Sequence, residues 1–212
     1  MRHRLTGLAA AIAAATGIIL TPALSAATAH ADPCVGSWSI GMGGFTMTGP
    51  GVTGQDSGYL DVNQRVGYNS ADPNSGLAEL DRLIWQHRNA CPADHIKLLG
   101  HSEGAGLIHV WVSQHKWFPN ANAVLLADPK RVAGPGSAGI AGNPLAPHFP
   151  GPPLAGVDAD FGDFPVLEVC NGDDWICNEE AGPIGYAVKG VHGAYVYSAD
   201  AYGDWDSGVW FR

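Results

Sequence analysis

Four short apolar runs set the rhythm of the chain: residues 35–40, 96–99, 123–127 and 165–169, each ending near glycine, aspartate or cysteine. Runs of this length and composition predict buried β-strands. Between the first two, Leu77, Leu80, Leu83, Ile84 and His87 recur at threes and fours, which predicts a helix with Ser75 as its cap and Cys91-Pro92 as its stop. A second helix is expected over residues 103–114, burying Ala105, Ile108, Trp111 and Val112. Strands alternating with helices imply parallel strands joined by crossovers, hence an α/β sandwich. Residues 41–58 and 134–156 are dense in glycine, proline and alanine and are expected to be irregular. The tail, with Tyr195, Tyr197, Tyr202, Trp205, Trp210 and Phe211, is expected to form a helix packed on the sheet.

Composition narrows the class. Apolar residues make up 46% of the 212 residues and charged residues only 15%, enough to build a core and unlike a disordered chain. Eleven Lys and Arg against 20 Asp and Glu give a formal charge of −9, which excludes a partner chosen for its phosphates, nucleic acid included. The 29 glycines and 15 prolines predict tight turns and long loops between short elements. They also weaken every glycine motif. Gly49 to Gly54 and Gly134 to Gly139 both imitate a dinucleotide fingerprint, yet neither joins a strand to a helix, so no cofactor is expected.

Arg2 and Arg4, an apolar run from Leu5 to Leu20, and Ala29-His30-Ala31 before Asp32 have the form of a secretory signal peptide over residues 1–31. Residues 32–212 are then the exported domain, secreted or held in the cell envelope. In an oxidising compartment the four cysteines, Cys34, Cys91, Cys170 and Cys177, are expected to form two disulfides. Three pairings are possible, and proximity alone favours Cys170 with Cys177. No cysteine or histidine spacing suits zinc, and Asp158, Asp160 and Asp163 lack the pattern of a calcium loop, so no metal is expected and a solvated acidic turn is.

Candidate chemistry sits where the second apolar run ends. Gly100-His101-Ser102-Glu103-Gly104 is G-x-S-x-G between a predicted strand and a predicted helix, the pattern of a nucleophile elbow. A serine nucleophile needs a base and a group that orients the base. His192, on a loop between Val191 and Gly193, is the expected base. His148 lies in proline-rich sequence, His101 is too close to Ser102 to fold back on it, and His109 and His115 are expected to be packing or surface residues. Two acids compete: Asp128, after the third run, and Asp174, inside the loop bounded by Cys170 and Cys177. Asp174 is preferred because a short loop fixes a carboxylate rigidly and because it precedes His192, while Asp173 beside it is expected to be solvated. The oxyanion donors are expected to be the backbone N–H of Glu103 and that of Gly44 or Phe45 in the glycine-rich turn after the first run.

The elbow, the acid in its cysteine loop, the histidine soon after, and Cys91 upstream of the elbow together resemble the cutinase-like serine esterases. Tyr68-Asn69-Ser70-Ala71 and Leu125-Leu126-Ala127-Asp128-Pro129 resemble the related PE-PPE-type α/β hydrolases of mycobacteria. The likeness runs from about Cys34 to about Tyr195. It implies a small α/β-hydrolase sandwich around a mainly parallel sheet, disulfides Cys34–Cys91 and Cys170–Cys177, and a triad of Ser102, Asp174 and His192. It further implies a monomeric enzyme acting on small-molecule or lipid esters without a cofactor, with peripheral contact to a lipid or cell-wall surface. Two departures stand out. Glu103 replaces the glutamine usual after the serine, and Gly41-Met42-Gly43-Gly44-Phe45-Thr46 replaces the usual Arg-Gly-Ser turn. A non-catalytic binding protein on the same scaffold, or an acyltransferase using the same triad, are the competing expectations.

Overall fold

The computed structural model describes residue 34 and residues 36–45, 57–148 and 150–212. The expected signal segment and the first of the two glycine patterns lie outside the described residues. Residues from Pro33 to Arg212 form one compact unit.

Six strands make one sheet: β1 (Ser37–Met42), β2 (Gln64–Arg65), β3 (His95–His101), β4 (Ala121–Leu126), β5 (Val166–Cys170) and β6 (Gly208–Phe211). Their order is β2-β1-β3-β4-β5-β6, and every pairing is parallel. β3, β4 and β5 are buried along their whole length, which explains their continuous apolar runs: a parallel strand covered on both faces has no solvent side to mark by alternation. β3 extends further than expected, by His95, whose ring meets Asn120 and Asn122, and by Gly100 and His101 at its end. Lys97 Nζ donates to the carbonyls of Ala199 and Tyr202, at 3.2 and 2.6 Å, and pairs with Asp204 at 2.8 Å, which fastens the C-terminal segment to the sheet.

Helices α1 (Pro73–Ala90) and α2 (Glu103–Gln114) cover one face. Leu80 and Ile84 of α1 are fully buried there, as their spacing predicts. Pro73 starts α1 with Asp72 before it, while Ser75 donates its hydroxyl to the Asp72 carbonyl, so Ser75 is not the cap. The helix stops at Cys91, which is bonded to Cys34; Cys170 and Cys177 form the other disulfide. α2 is buried from Glu103 to Val112, the mark of a central helix. The other face is closed by Leu60, Ile140, Ile176, Tyr195, Ala199 and Tyr202, which come from loops and one-turn helices.

The tail corrects an expectation. Its aromatics do not form a helix; residues 208–211 pair with β5 as an edge strand. Four residues are too few to display a period in sequence, and the unpaired edge of β5 decides their conformation. Residues 134–156 are irregular as expected, with one short turn of helix at Ile140–Gly142.

A largely buried polar cluster is built around His109 of α2. His109 donates from Nδ1 to Asp128 at 2.6 Å and from Nε2 to Asp158 at 2.9 Å, and Lys130 reaches Asp158 at 3.2 Å. Asp158, expected to be solvated, is paired although its side chain is still 40% exposed, and His109, expected to pack or lie at the surface, is an interior ion partner. Burial works against a charge on His109, but the two carboxylates outweigh it and raise its pKa. Burial would also raise Asp158; His109 and Lys130 instead pull it down to about 2. Glu168, on β5 beside Asp128, has the opposite fate. Burial first, and then the Asp128 charge, push its carboxyl up to about 8, and its Oε1 has no hydrogen-bond partner among the described residues.

Two predictions follow from this packing. Glu168 keeps its proton in the folded chain up to about pH 8, while the unfolded chain releases it near the ordinary value of 4.5. Its contribution is therefore full below that pH and is lost as pH rises through about 8, with a slope of at most about 1.4 kcal/mol per pH unit. Glu168→Gln is expected to flatten the alkaline fall in unfolding free energy; an equal gap between wild type and variant at about pH 5 and about pH 9 would refute this. Gly104 lies so close to β1 that a Cβ there would run into the carbonyl oxygens of Met42 and Gly43. Gly104→Ala is accordingly expected to lower stability by about 2 kcal/mol or more, read by urea unfolding.

Candidate active site

The carboxyl ends of β1, β3, β4 and β5 lie along one edge, and the four segments that leave them supply most of the polar groups of the site. At the end of β3 the chain turns sharply into α2. Ser102 sits at that turn with φ 58° and ψ −124°, a conformation that costs a non-glycine residue about 1–3 kcal/mol. The turn closes because its flanks are bare. A Cβ on Gly100 would lie 2.6 Å from the Ala105 Cα, and Gly104 abuts β1. The elbow expected from G-x-S-x-G is present.

The segment after β5 carries the preferred acid. Asp174 is completely buried in the Cys170–Cys177 loop. Its carboxylate accepts from the Ile176 N–H at 3.1 Å, the Tyr195 hydroxyl at 2.7 Å, and His192 Nδ1 at 2.9 and 3.1 Å. Burial and the Asp174 charge raise the pKa of Tyr195, so the phenol stays a donor. His192 rides on a one-turn helix, Val191–Gly193, entered through Gly190 in the left-handed region at φ 65°. Asn171 Nδ2 donates to the Val191 carbonyl at 2.9 Å and ties that turn to the end of β5. Asp173 is exposed and pairs with Lys189, as a solvated residue would.

Ser102 and His192 line one cavity of about 740 Å³, a volume within the range of about 300–1,000 Å³ common for small-molecule sites. Its walls are largely apolar and include Phe45, Ile140, Leu154, Ile176 and Tyr186. Pro150, Pro152 and Leu154 come from the long irregular loop, which therefore forms one wall. Among the described residues no hydrogen bond joins Ser102 Oγ to His192; such pairs often close only around substrate.

The competing acid, Asp128, is bonded to His109 beneath α2 and not to His192. His109, Asp128 and Glu168 are close enough to share a metal ion, but both ring nitrogens of His109 are already engaged by carboxylates. Cys34 and Cys91, near Asp94, are bonded to each other and offer no thiolate.

The glycine turn after β1 departs from expectation in one respect. The Gly44 N–H, expected to face an oxyanion, donates instead to the Tyr59 hydroxyl at 2.8 Å. Gly44 provides room: a Cβ there would come within 2.9 Å of Ser102 Cβ and 3.3 Å of Oγ. Glu103 and Phe45, the other two expected donors, both line the cavity. Gly43 is pinned on both sides, its N–H donating to Ser57 Oγ at 2.9 Å and its carbonyl accepting from Tyr68 at 2.8 Å. The same Tyr68 hydroxyl reaches Glu103 at 3.3 Å, so the unusual carboxylate has a partner on the side away from solvent. Tyr59, Tyr68 and Tyr195 were not identifiable from sequence as site residues, since each is separated along the chain from the group it holds.

No family model matches the chain, and no curated protein matches it. Solved structures do. A cutinase-like protein from Cryptococcus sp. is similar over 84% of this chain and 98% of its own, with 19% identity and a TM-score of 0.52. Lysin B from mycobacteriophage D29 aligns over 49% of this chain and 50% of its own, at 20% identity and a TM-score of 0.36. A putative YdeN-like hydrolase from Pectobacterium atrosepticum aligns over 82% and 76%, at 15% identity and a TM-score of 0.43. The six-stranded parallel sheet, its helices and the cutinase-like neighbour agree on the architecture: the fold is that of an α/β hydrolase.

Proposed function

We propose that this protein is a serine hydrolase of carboxylic esters, acting through Ser102, His192 and Asp174. One observation carries the reading. A buried carboxylate holds His192 by Nδ1, leaving Nε2 as the ring nitrogen open to the cavity that also receives the strained serine. That division of roles is what a base needs: Asp174 fixes the tautomer and favours the imidazolium that forms during reaction.

His192 Nε2 takes the Ser102 hydroxyl proton as Oγ bonds to the ester carbonyl carbon. The carbonyl electrons move to oxygen, where the N–H groups of Glu103 and Phe45 are the proposed donors. Collapse of this intermediate expels the alcohol, protonated by His192. Water, deprotonated in turn by His192, adds to the acyl carbon; the bond to Oγ then breaks, Oγ takes the proton back from His192, and the acid leaves. The apolar walls suit an uncharged acyl group. Glu103 is buried, and the Tyr68 hydroxyl that it shares with the Gly43 carbonyl lies beside its carboxyl group, which supports activity despite that side chain. Two disulfides suit an oxidising compartment, and the signal-like N-terminus supports export. Kinship with the PE-PPE-type hydrolases, contact with a lipid or cell-wall surface and a monomeric state belong to the same proposal.

A fluorophosphonate probe is expected to label Ser102 in the folded, oxidised protein and to miss Ser102→Ala. On a panel of p-nitrophenyl esters, Ser102→Ala and His192→Ala should each lower kcat/KM by on the order of 10³-fold or more. Asp174→Asn should cost about 10²- to 10⁴-fold by losing the tautomer. Absence of both labelling and ester cleavage in the wild type would reject the enzyme in favour of a binding protein. Product analysis with a competing alcohol separates hydrolysis from acyl transfer.

A further inference from the structure

His101, next to the nucleophile in sequence, has no role in the triad, yet it is buried among the site's own elements. Its Nε2 is 2.9 Å from the carbonyl oxygen of His192, and its Nδ1 is 2.7 Å from the Tyr59 hydroxyl. A carbonyl can only accept, so Nε2 must carry the hydrogen. In the neutral ring Nδ1 is then an acceptor, and the Tyr59 O–H donates to it. The Tyr59 oxygen accepts in turn from the Gly44 N–H. The hydrogens therefore run in one consistent order: Gly44 N–H to Tyr59 oxygen, Tyr59 O–H to His101 Nδ1, and His101 Nε2–H to the His192 carbonyl.

We infer that His101 is a positioning residue, locked as the neutral Nε2–H tautomer, which joins the loop carrying His192 to the glycine turn beside Ser102 through Tyr59. The inference rests on the hydrolase reading for its catalytic consequence, and on the hydrogen-bond geometry alone for its tautomer. The two joined segments leave different strands and are far apart in sequence; the elbow residue lies between them. Displacing either end moves the base or the wall of the oxyanion site relative to Ser102, and small misplacements are costly in rate.

The ring must also stay uncharged. It lies 4.6 Å from His192, centroid to centroid, and packs near Tyr59, Tyr195 and Tyr197. Burial, and next the neighbouring His192, push its pKa down to about 4, with the Asp174 charge and the bond to the His192 carbonyl opposing. A protonated His101 would turn Nδ1 from acceptor to donor, break the Tyr59 bond in its present sense, and set a second positive charge beside the imidazolium that His192 becomes.

Long-range ¹H–¹⁵N spectra of the histidine-labelled protein read the tautomer directly. Near neutral pH His101 is expected as the neutral Nε2–H form, and an Nδ1–H or protonated ring would overturn the inference. In ester kinetics, His101→Phe should lower kcat by about 10- to 100-fold while KM changes less than about threefold. Tyr59→Phe, at a residue that is 44% exposed, should lower kcat by about 3- to 10-fold with the unfolding midpoint little changed, and the double variant should be no slower than His101→Phe alone. A kcat within about twofold of wild type for both variants, or effects that multiply, would also overturn it. An inactive, unlabelled wild type would reject the hydrolase reading, and the tautomer measurement would still decide the hydrogen-bond order.

Discussion

The close approach of α2 to β1 and β3 is the constraint on which the rest of the site depends. It needs two residues without side chains, Gly100 against the Ala105 backbone and Gly104 against β1. Only with both in place does the chain turn tightly enough to hold Ser102 at positive φ. The strain is local and the compensation is distributed. α2 is buried from Glu103 to Val112, so the apolar burial along the helix offsets a cost of about 1–3 kcal/mol at its first turn.

Two of the His–Asp contacts, one made by His109 on α2 and one by His192 near its first turn, are similar in chemistry and opposed in setting. His109 is sealed, with carboxylates on both ring nitrogens, and the pair can only stabilise. His192 meets Asp174 on one nitrogen alone, at the wall of a cavity. A base must keep one nitrogen available, and burial on both sides removes that option. This difference, more than the presence of a histidine and an acid, separates the proposed catalytic pair from the structural one. It also explains why Asp128 competes as the acid in sequence: it does follow a strand and does hold a histidine, though His109 and not the proposed base.

The glycine excess has a similar division. Gly44 was expected to contribute an N–H and instead contributes empty space beside Ser102, its N–H being taken by Tyr59. A turn of consecutive glycines announces close approach in sequence. Which atom approaches, and which hydrogen bond each N–H finds, depends on side chains such as Tyr59 and Tyr68 that arrive from elsewhere.

Local pattern determined the buried strands, the two long helices and the elbow, because each follows from neighbouring residues: apolar runs, threes and fours, glycines around a serine. It also pointed to Asp174 and His192, since a short cysteine loop and a glycine-flanked histidine are themselves local features. Tertiary structure decided what depends on distant partners. β6 is a strand because β5 had an open edge, Asp158 is paired because His109 faces it, and Glu168 keeps its proton because burial and Asp128 disfavour its charge. Hydrogen bonds and desolvation are set by what surrounds a group in space, and the sequence lists those surroundings only after the chain has folded.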